Sequence, residues 1–377
     1  MTKVVETAQM AERKRNYGID LLRIVSMIMI VLLHIIGQGG VLENTEFMSV
    51  KYSILYFLKT ASFCSVNCYA LISGYVGLNS KFKYRSIIEL YFTVIFYTLG
   101  ITAVFAALMP GTVNVRTVIK AIIPFLGGGT DYWYFTAYTC SFFFYPYLKY
   151  MVESLERKKL RALVFIIIFF FSVAPTVFDT DIFATRLGYS PMWLALMYLI
   201  GAYIKKYDIG KNMGKLKCFF IILICLVITW IAKLVFEIIV ERFFKGATYG
   251  YMIIQYTSPL ILCASVFLVI LFSKAEYGKI NEKIIAFFAP LAFSVYIIHC
   301  EPLIWKYVIL ERFSGFAELN VAFMVIAMLL TVFGIWLICS LIDVIRFYLF
   351  KILKVGNISA KIERGIAKII KRFICFD

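Results

Sequence analysis

This chain of 377 residues holds only two histidines, and each stands beside groups that move protons or bind anions. His34 closes a run that also contains Asp20, Arg23 and Ser26, while His299 is followed by Glu301 and Pro302. Arg23 and His34 are eleven residues apart. In a helix that is close to three whole turns, so both project from nearly the same face, about 16 Å apart along the axis. Asp20 lies one turn before Arg23 and can pair with it. An imidazole exchanges protons near neutral pH, and a nearby carboxylate can orient it or share the proton. A guanidinium binds anions. Two imidazoles and a carboxylate are what proton transfer needs; the plainer alternative is that each polar group bonds a neighbouring helix.

The elements that must position these residues are transmembrane. Of the whole chain 62% is apolar and 16% charged, whereas a soluble domain carries about a quarter charged residues. Apolar runs near 19–38, 53–77, 86–109, 132–152, 160–178, 190–205, 216–240, 252–273, 284–309 and 319–345 approach the roughly 20 residues a membrane-crossing helix needs. The spacing predicts an all-α polytopic bundle of about ten spans. Arg13, Lys14 and Arg15 precede the first run as in a signal peptide, but no small-x-small cleavage pattern follows, so that run reads as a span. The chain divides into a basic leader (1–18), one membrane domain (19–345) and a basic amphipathic tail (346–377).

Lysine and arginine gather on alternate connections: the leader, Lys81/Lys83/Arg85, Lys149 to Arg161, Lys205 to Lys217, Lys274 to Lys283, and the tail from Arg346. The other connections hold only Lys51, Arg116, Lys120, Arg186, Arg242, Lys245 and Arg312. Basic loops face the cytoplasm, which puts both termini there. The net charge of +17 is then a topology signal with attraction to anionic lipid, and needs no nucleic acid. In the tail, Ile358, Ile362, Ile366, Ile369 and Ile370 alternate with Lys361, Arg364, Lys368, Lys371 and Arg372, a pattern suited to lying along the inner leaflet. Most of the nine cysteines fall in apolar runs and behave as small hydrophobes. Cys64 and Cys68 share a helix face without a histidine or carboxylate to complete a ligand set, so no metal is expected.

In this orientation the first and ninth spans both run outward. Their histidines lie at similar depth in the outer half of the membrane, with Arg23 near the inner surface. Ionisable groups inside spans cost several kcal/mol and are functional candidates by default. Lys233 and Glu237, four residues apart, can neutralise each other. Lys59, Glu89 and Asp343 suit either bundle contacts or a site. The polar stripe Ser62, Ser65, Asn67, ending in Ser73-Gly74-Tyr75, permits close helix packing.

Several blocks together resemble the membrane acyltransferase-3 family, the integral membrane O-acetyltransferases of bacterial surface polysaccharides. They are Arg23-x10-His34 within Asn-Tyr-Gly-Ile-Asp-Leu-Leu-Arg-Ile-Val, Leu71-Ile72-Ser73-Gly74-Tyr75, Tyr132-Trp133-Tyr134-Phe135 with Pro146, and Ser294-Val295-Tyr296-Ile297-Ile298-His299. The resemblance covers nearly the whole chain in the same order. It departs at Lys81-Phe82-Lys83-Tyr84-Arg85, where the family is richer in arginine; lysine binds phosphate as a point charge without the bidentate fork.

The resemblance implies a multi-pass enzyme of the cell membrane that takes an acyl group, usually acetyl from cytoplasmic acetyl-CoA, to a hydroxyl of an extracytoplasmic glycan, a surface polysaccharide. By this resemblance Arg23, Lys81, Lys83 and Arg85 hold the polyanionic donor. His34 is the catalytic residue, with Glu301 or His299 orienting it or sharing its proton, and Ser73, Tyr75 and Trp133 contact substrate. The expected partners are acyl-CoA, the glycan acceptor and the bilayer. A polysaccharide or lipid-linked sugar transporter is the competing reading, since polar residues inside a bundle also line substrate paths. Against it, the chain shows no evident two-fold repeat.

Overall fold

A computed structural model describes residues 15–127, 131–243 and 250–374, with side chains through residue 368. The leader residues 1–14, with Arg13 and Lys14, and the side chains of Ile369, Ile370, Lys371 and Arg372 lie outside the described residues. The described residues are helical with no strand.

The helices are α1 (Tyr17–Ile36), α2 (Val50–Ser62), α3 (Cys64–Gly77), α4 (Arg85–Leu108), α5 (Val115–Ile122), α6 (Trp133–Ser154), α7 (Arg157–Val177), α8 (Pro191–Lys206), α9 (Lys215–Phe243), α10 (Pro259–Ser273), α11 (Lys279–Phe288), α12 (Ala292–His299), α13 (Val321–Ile352) and α14 (Val355–Ile374). Among the described residues eight candidate spans are long and apolar enough to cross a membrane: α1, α2 with α3, α4, α7, α9, Tyr251–Ser273, Lys279–His299, and α13. Two further spans are expected from the apolar runs, where α6 and α8 lie. Both are helical, but α6 carries Lys149, Glu153 and Pro146, and α8 is only 16 residues long. For α8, its place in the bundle explains this. Trp193, Leu194 and Met197 of α8 are fully buried, and a helix enclosed by other helices need not be apolar on every face. By contrast α9 and α13 leave Ile224, Ile238, Leu330 and Ile338 exposed on their outer faces, as lipid-facing helices do.

Short side chains let the inner helices touch backbone to backbone. A Cβ on Gly74 of α3 would lie 1.9 Å from the Tyr198 carbonyl oxygen of α8, and one on Gly201 of α8 would lie 2.0 Å from that of Leu71. Small residues replace the missing hydrophobic driving force in this way. Polar groups add directional contacts: Asn67 donates to the Tyr256 carbonyl at 2.8 Å and accepts from Trp193 Nε1 at 2.9 Å. Of the stripe, Asn67 thus ties α3 to α8 and to the segment before α10, while Ser65 bonds the nearby Ser62 carbonyl. Lys233 and Glu237 pair at 3.0 Å, as their spacing suggested.

One departure bears on the site. The expected ninth span, 284–309, does not run through: Pro290 interrupts it, α12 stops at His299, and Pro302 starts a separate short turn. The amphipathic tail forms α14, and Glu363 on it accepts the backbone N–H of Arg85 at 3.1 Å, docking the helix on α4 while Ile358, Ile362 and Ile366 stay exposed.

Candidate active site

The two histidines, 265 residues apart in sequence, meet. His34 ends α1, whose first turn is held by Asn16 accepting the Ile19 N–H at 3.0 Å. His299 ends α12. His34 Nδ1 lies 2.9 Å from His299 Nε2, and His299 Nδ1 lies 2.6 Å from the Val295 carbonyl oxygen.

The chemistry of these partners fixes the protons. A carbonyl oxygen only accepts, so His299 Nδ1 carries hydrogen. In a neutral ring its Nε2 is then bare and must accept, so His34 donates through Nδ1. This leaves His34 Nε2 with a free lone pair, held in one tautomer by a relay that ends on the backbone. The Trp305 ring packs edge-on against His34 with centroids 4.9 Å apart.

Cys300 completes the cluster, its sulfur 3.4 Å from His299 Nε2 and 3.7 Å from His34 Nδ1. The three ligand atoms lie within 4.8 Å of one another and could hold a soft divalent cation. Sequence reasoning missed this set because it treated Cys300 as one more apolar thiol.

Around His34 the cavities form a series. At the end nearer the start of α1, a mouth of about 250 Å³ is lined by Arg23, Lys81, Lys83, Lys149 and Tyr198. It shares Arg23, Ser73 and Tyr138 with a cavity of about 320 Å³ bounded by Tyr69, Tyr134 and Phe293. Those three residues also line a neck of about 20 Å³ that reaches His34, room for about one water. Beyond the neck, a chamber of about 610 Å³ is walled by His34, Lys59, Trp133, Tyr189, Tyr256 and Trp305. His34, Trp133, Tyr256 and Tyr296 belong to both neck and chamber. His34 therefore stands between the aromatic chamber and the neck, which leads through the Arg23 cavity to the basic mouth.

The other residues singled out by type and spacing divide. Arg23 pairs with Asp20 at 2.7 Å, as expected, and Arg15 holds the other carboxylate oxygen at 2.5 Å, so the trio keeps one net positive charge at the cavity. Lys81 and Lys83 line the mouth, and Ser73 lines the cavity with its hydroxyl bonded to the Tyr69 carbonyl. Trp133 is positioned by its neighbours. Tyr132, left-handed at φ 51°, donates to the Ile297 carbonyl, and the Tyr134 N–H donates to the Tyr296 hydroxyl, which pins the start of α6 to α12.

Arg85 is not brought in: it pairs with Glu89 at 3.0 Å and lines none of these cavities. Tyr75 faces away from them, with the Lys205 ammonium 5.1 Å from its ring. Glu301 does not bond either imidazole. Its carboxylate accepts the N–H groups of Leu303 at 2.7 Å and Ile304 at 3.1 Å, capping the turn that Pro302 begins. Sequence reasoning missed Lys149 as a wall of the mouth, having counted it as a topology charge, and Tyr69, whose hydroxyl bonds the Arg23 carbonyl at 2.9 Å.

Comparison with known proteins supplies the family. Neither the curated proteins nor the solved structures contain a match. A family model described as an acyltransferase domain matches residues 16–340, from the cap of α1 into α13. That stretch includes both histidines, the basic mouth and the aromatic chamber, and the chain belongs to the membrane acyltransferase-3 family.

Proposed function

We propose that this membrane acyltransferase moves an acetyl group from acetyl-CoA at the cytoplasmic face to a hydroxyl of an extracytoplasmic surface glycan, with His34 as general base. The observation that carries this reading is the free Nε2 of His34 between the neck that leads back to the basic mouth and the aromatic chamber beyond it. Arg23, Lys81, Lys83 and Lys149 match the phosphates of coenzyme A in charge. Aromatic walls such as Trp133 and Tyr256 suit the apolar faces of sugar rings. The alternation of basic loops assigns the mouth to the cytoplasm and the chamber to the far side. The same count gives ten spans, α6 and α8 included, with both termini inside and residues 19–345 acting as one membrane domain.

His34 Nε2 accepts the hydroxyl proton as the sugar oxygen bonds to the acyl carbon. The carbon–sulfur bond then breaks, and the proton passes from His34 to the departing sulfur, so charge and atoms balance. While His34 is cationic, its Nδ1–H stays donated to His299, which spreads the charge and prevents the ring from turning. His299 is a positioning residue in this scheme. The neck must widen by side-chain rotation to admit the thioester, since its present volume is about that of one water.

The test is transfer of labelled acetyl from acetyl-CoA to a surface-glycan preparation by purified protein in nanodiscs. Wild type acetylates the glycan and His34→Ala does not, while retaining its elution volume. A wild type that leaves the thioester intact with every glycan offered would remove the proposal.

A further inference from the structure

The chamber beyond His34 has a charge that nothing on its walls balances. Its lining carries two charged side chains, Asp131 and Lys59. Asp131 is neutralised by Lys120 at 2.9 Å. Lys59 forms no ion pair among the described residues. Its ammonium lies 5.3 Å from the centroid of the Tyr56 ring. The nearby carboxylate, Glu237, is already bonded to Lys233 at 3.0 Å and accepts the hydroxyls of Tyr52 at 2.9 Å and Tyr56 at 3.1 Å. That group of Lys59, Lys233 and Glu237 therefore keeps one positive charge, and Lys59 is its one member among the residues that line the chamber. Glu301 caps backbone N–H groups and does not line the cavity. The internal segments outside the described residues, 128–130 and 244–249, contain no acidic residue.

A cation at membrane depth is costly unless something pairs with it. Pairing one anion with Lys59 would balance the chamber. Trp133, Tyr189 and Tyr256 cluster in the same wall, with centroids 4.5 Å apart for Trp133 and Tyr189 and 4.8 Å for Tyr189 and Tyr256. The chamber thus offers ring faces and one cation together, within the volume range of small-molecule sites.

We propose that the acceptor bound in this chamber is an anionic glycan, with a sugar carboxylate or phosphate paired to Lys59 beside the Trp133–Tyr189–Tyr256 wall. This rests on the acyl-transfer reading above and narrows its acceptor to one charge class.

The experiment measures binding and transfer separately on the full chain in nanodiscs. The probes are a glucuronate-containing tetrasaccharide with its carboxyl-reduced counterpart, and a glycerol-phosphate-bearing oligosaccharide with its dephosphorylated counterpart. In equilibrium dialysis without acetyl-CoA, at least one charged probe should bind about tenfold tighter than its neutral partner; which pair shows it tells carboxylate from phosphate. Lys59→Met should abolish that preference and leave neutral-probe binding within about twofold, whereas Lys59→Arg should keep it. Equal binding within both pairs, or a preference that survives Lys59→Met at wild-type elution volume, overturns the proposal. Charge-selective binding without acetyl transfer would instead sink the enzymatic reading and leave the anion site standing.

Discussion

Replacing His299 by leucine removes the acceptor of the His34 Nδ1 hydrogen bond while keeping comparable bulk at a site only 1% exposed. In the resting protein His34 would lose one neutral hydrogen bond and the constraint on its tautomer. In the transition state it would lose a hydrogen bond to a ring that has become cationic. Bonds to charged groups contribute about 1.5–3 kcal/mol. The neutral bond lost in the ground state contributes about 0.5–1.5 kcal/mol and is subtracted. At 1.36 kcal/mol per tenfold, the remaining difference of about 1–1.5 kcal/mol should lower kcat roughly 5- to 13-fold. The KM for acetyl-CoA should stay within about twofold, because Arg23, Lys81 and Lys83 are untouched. His299→Gln places an amide oxygen that can still accept from Nδ1 and should recover most of the lost rate. The assay is single-turnover acetyl transfer in nanodiscs, with His34→Ala as the reference for complete loss. A leucine variant with wild-type kcat, or a glutamine variant no better than leucine, would refute the relay.

Three more outcomes follow from the same geometry. Arg23→Ala should raise the KM for acetyl-CoA about tenfold, in a salt-dependent way, whereas Arg85→Ala, with its guanidinium already on Glu89, should change it less than threefold; steady-state titration in low and high salt separates the two. Glu301→Gln, which weakens a cap but touches neither imidazole, should lower thermal stability by about 0.5–2 kcal/mol and keep kcat within threefold, so a hundredfold loss would return this carboxylate to the chemistry. Gly74→Leu should reduce the denaturation midpoint far more than Gly100→Leu, since a Cβ at Gly74 would meet Tyr198 backbone at 1.9 Å and one at Gly100 meets nothing; equal midpoints by thermal shift in detergent would contradict the close α3–α8 approach.

How much of this was legible beforehand differs from residue to residue. The outer helices announce themselves, because α9 and α13 must be apolar where lipid surrounds them. The inner helix α8 is harder to read: Gly201 and Tyr198 serve helix contacts, so its apolar run is short. The meeting of His34 with His299 could be anticipated from equal depth on two spans of the same direction. Their orientation could not, because it depends on where α12 ends and on the Val295 carbonyl. Glu301 misled for a local reason. A carboxylate before proline at a helix break is as well placed to cap the next turn as to serve the histidine, and periodicity cannot tell these apart. The pairing of Arg85 with Glu89 was visible as an i,i+4 spacing, but the loop's family resemblance drew attention to all three cations equally. Cys300 and Lys149 were passed over because an apolar thiol and an inner-loop lysine each had a sufficient ordinary explanation.

The most direct measurement uses proteoliposomes with an acceptor glycan sealed inside and labelled acetyl-CoA supplied only outside. Protein inserted with its basic mouth outward should carry label into the enclosed glycan, and His34→Ala, inserted equally well and still retaining acetyl-CoA, should carry none. Label crossing at the wild-type rate in the His34→Ala vesicles would contradict the claim that this imidazole joins the two pockets.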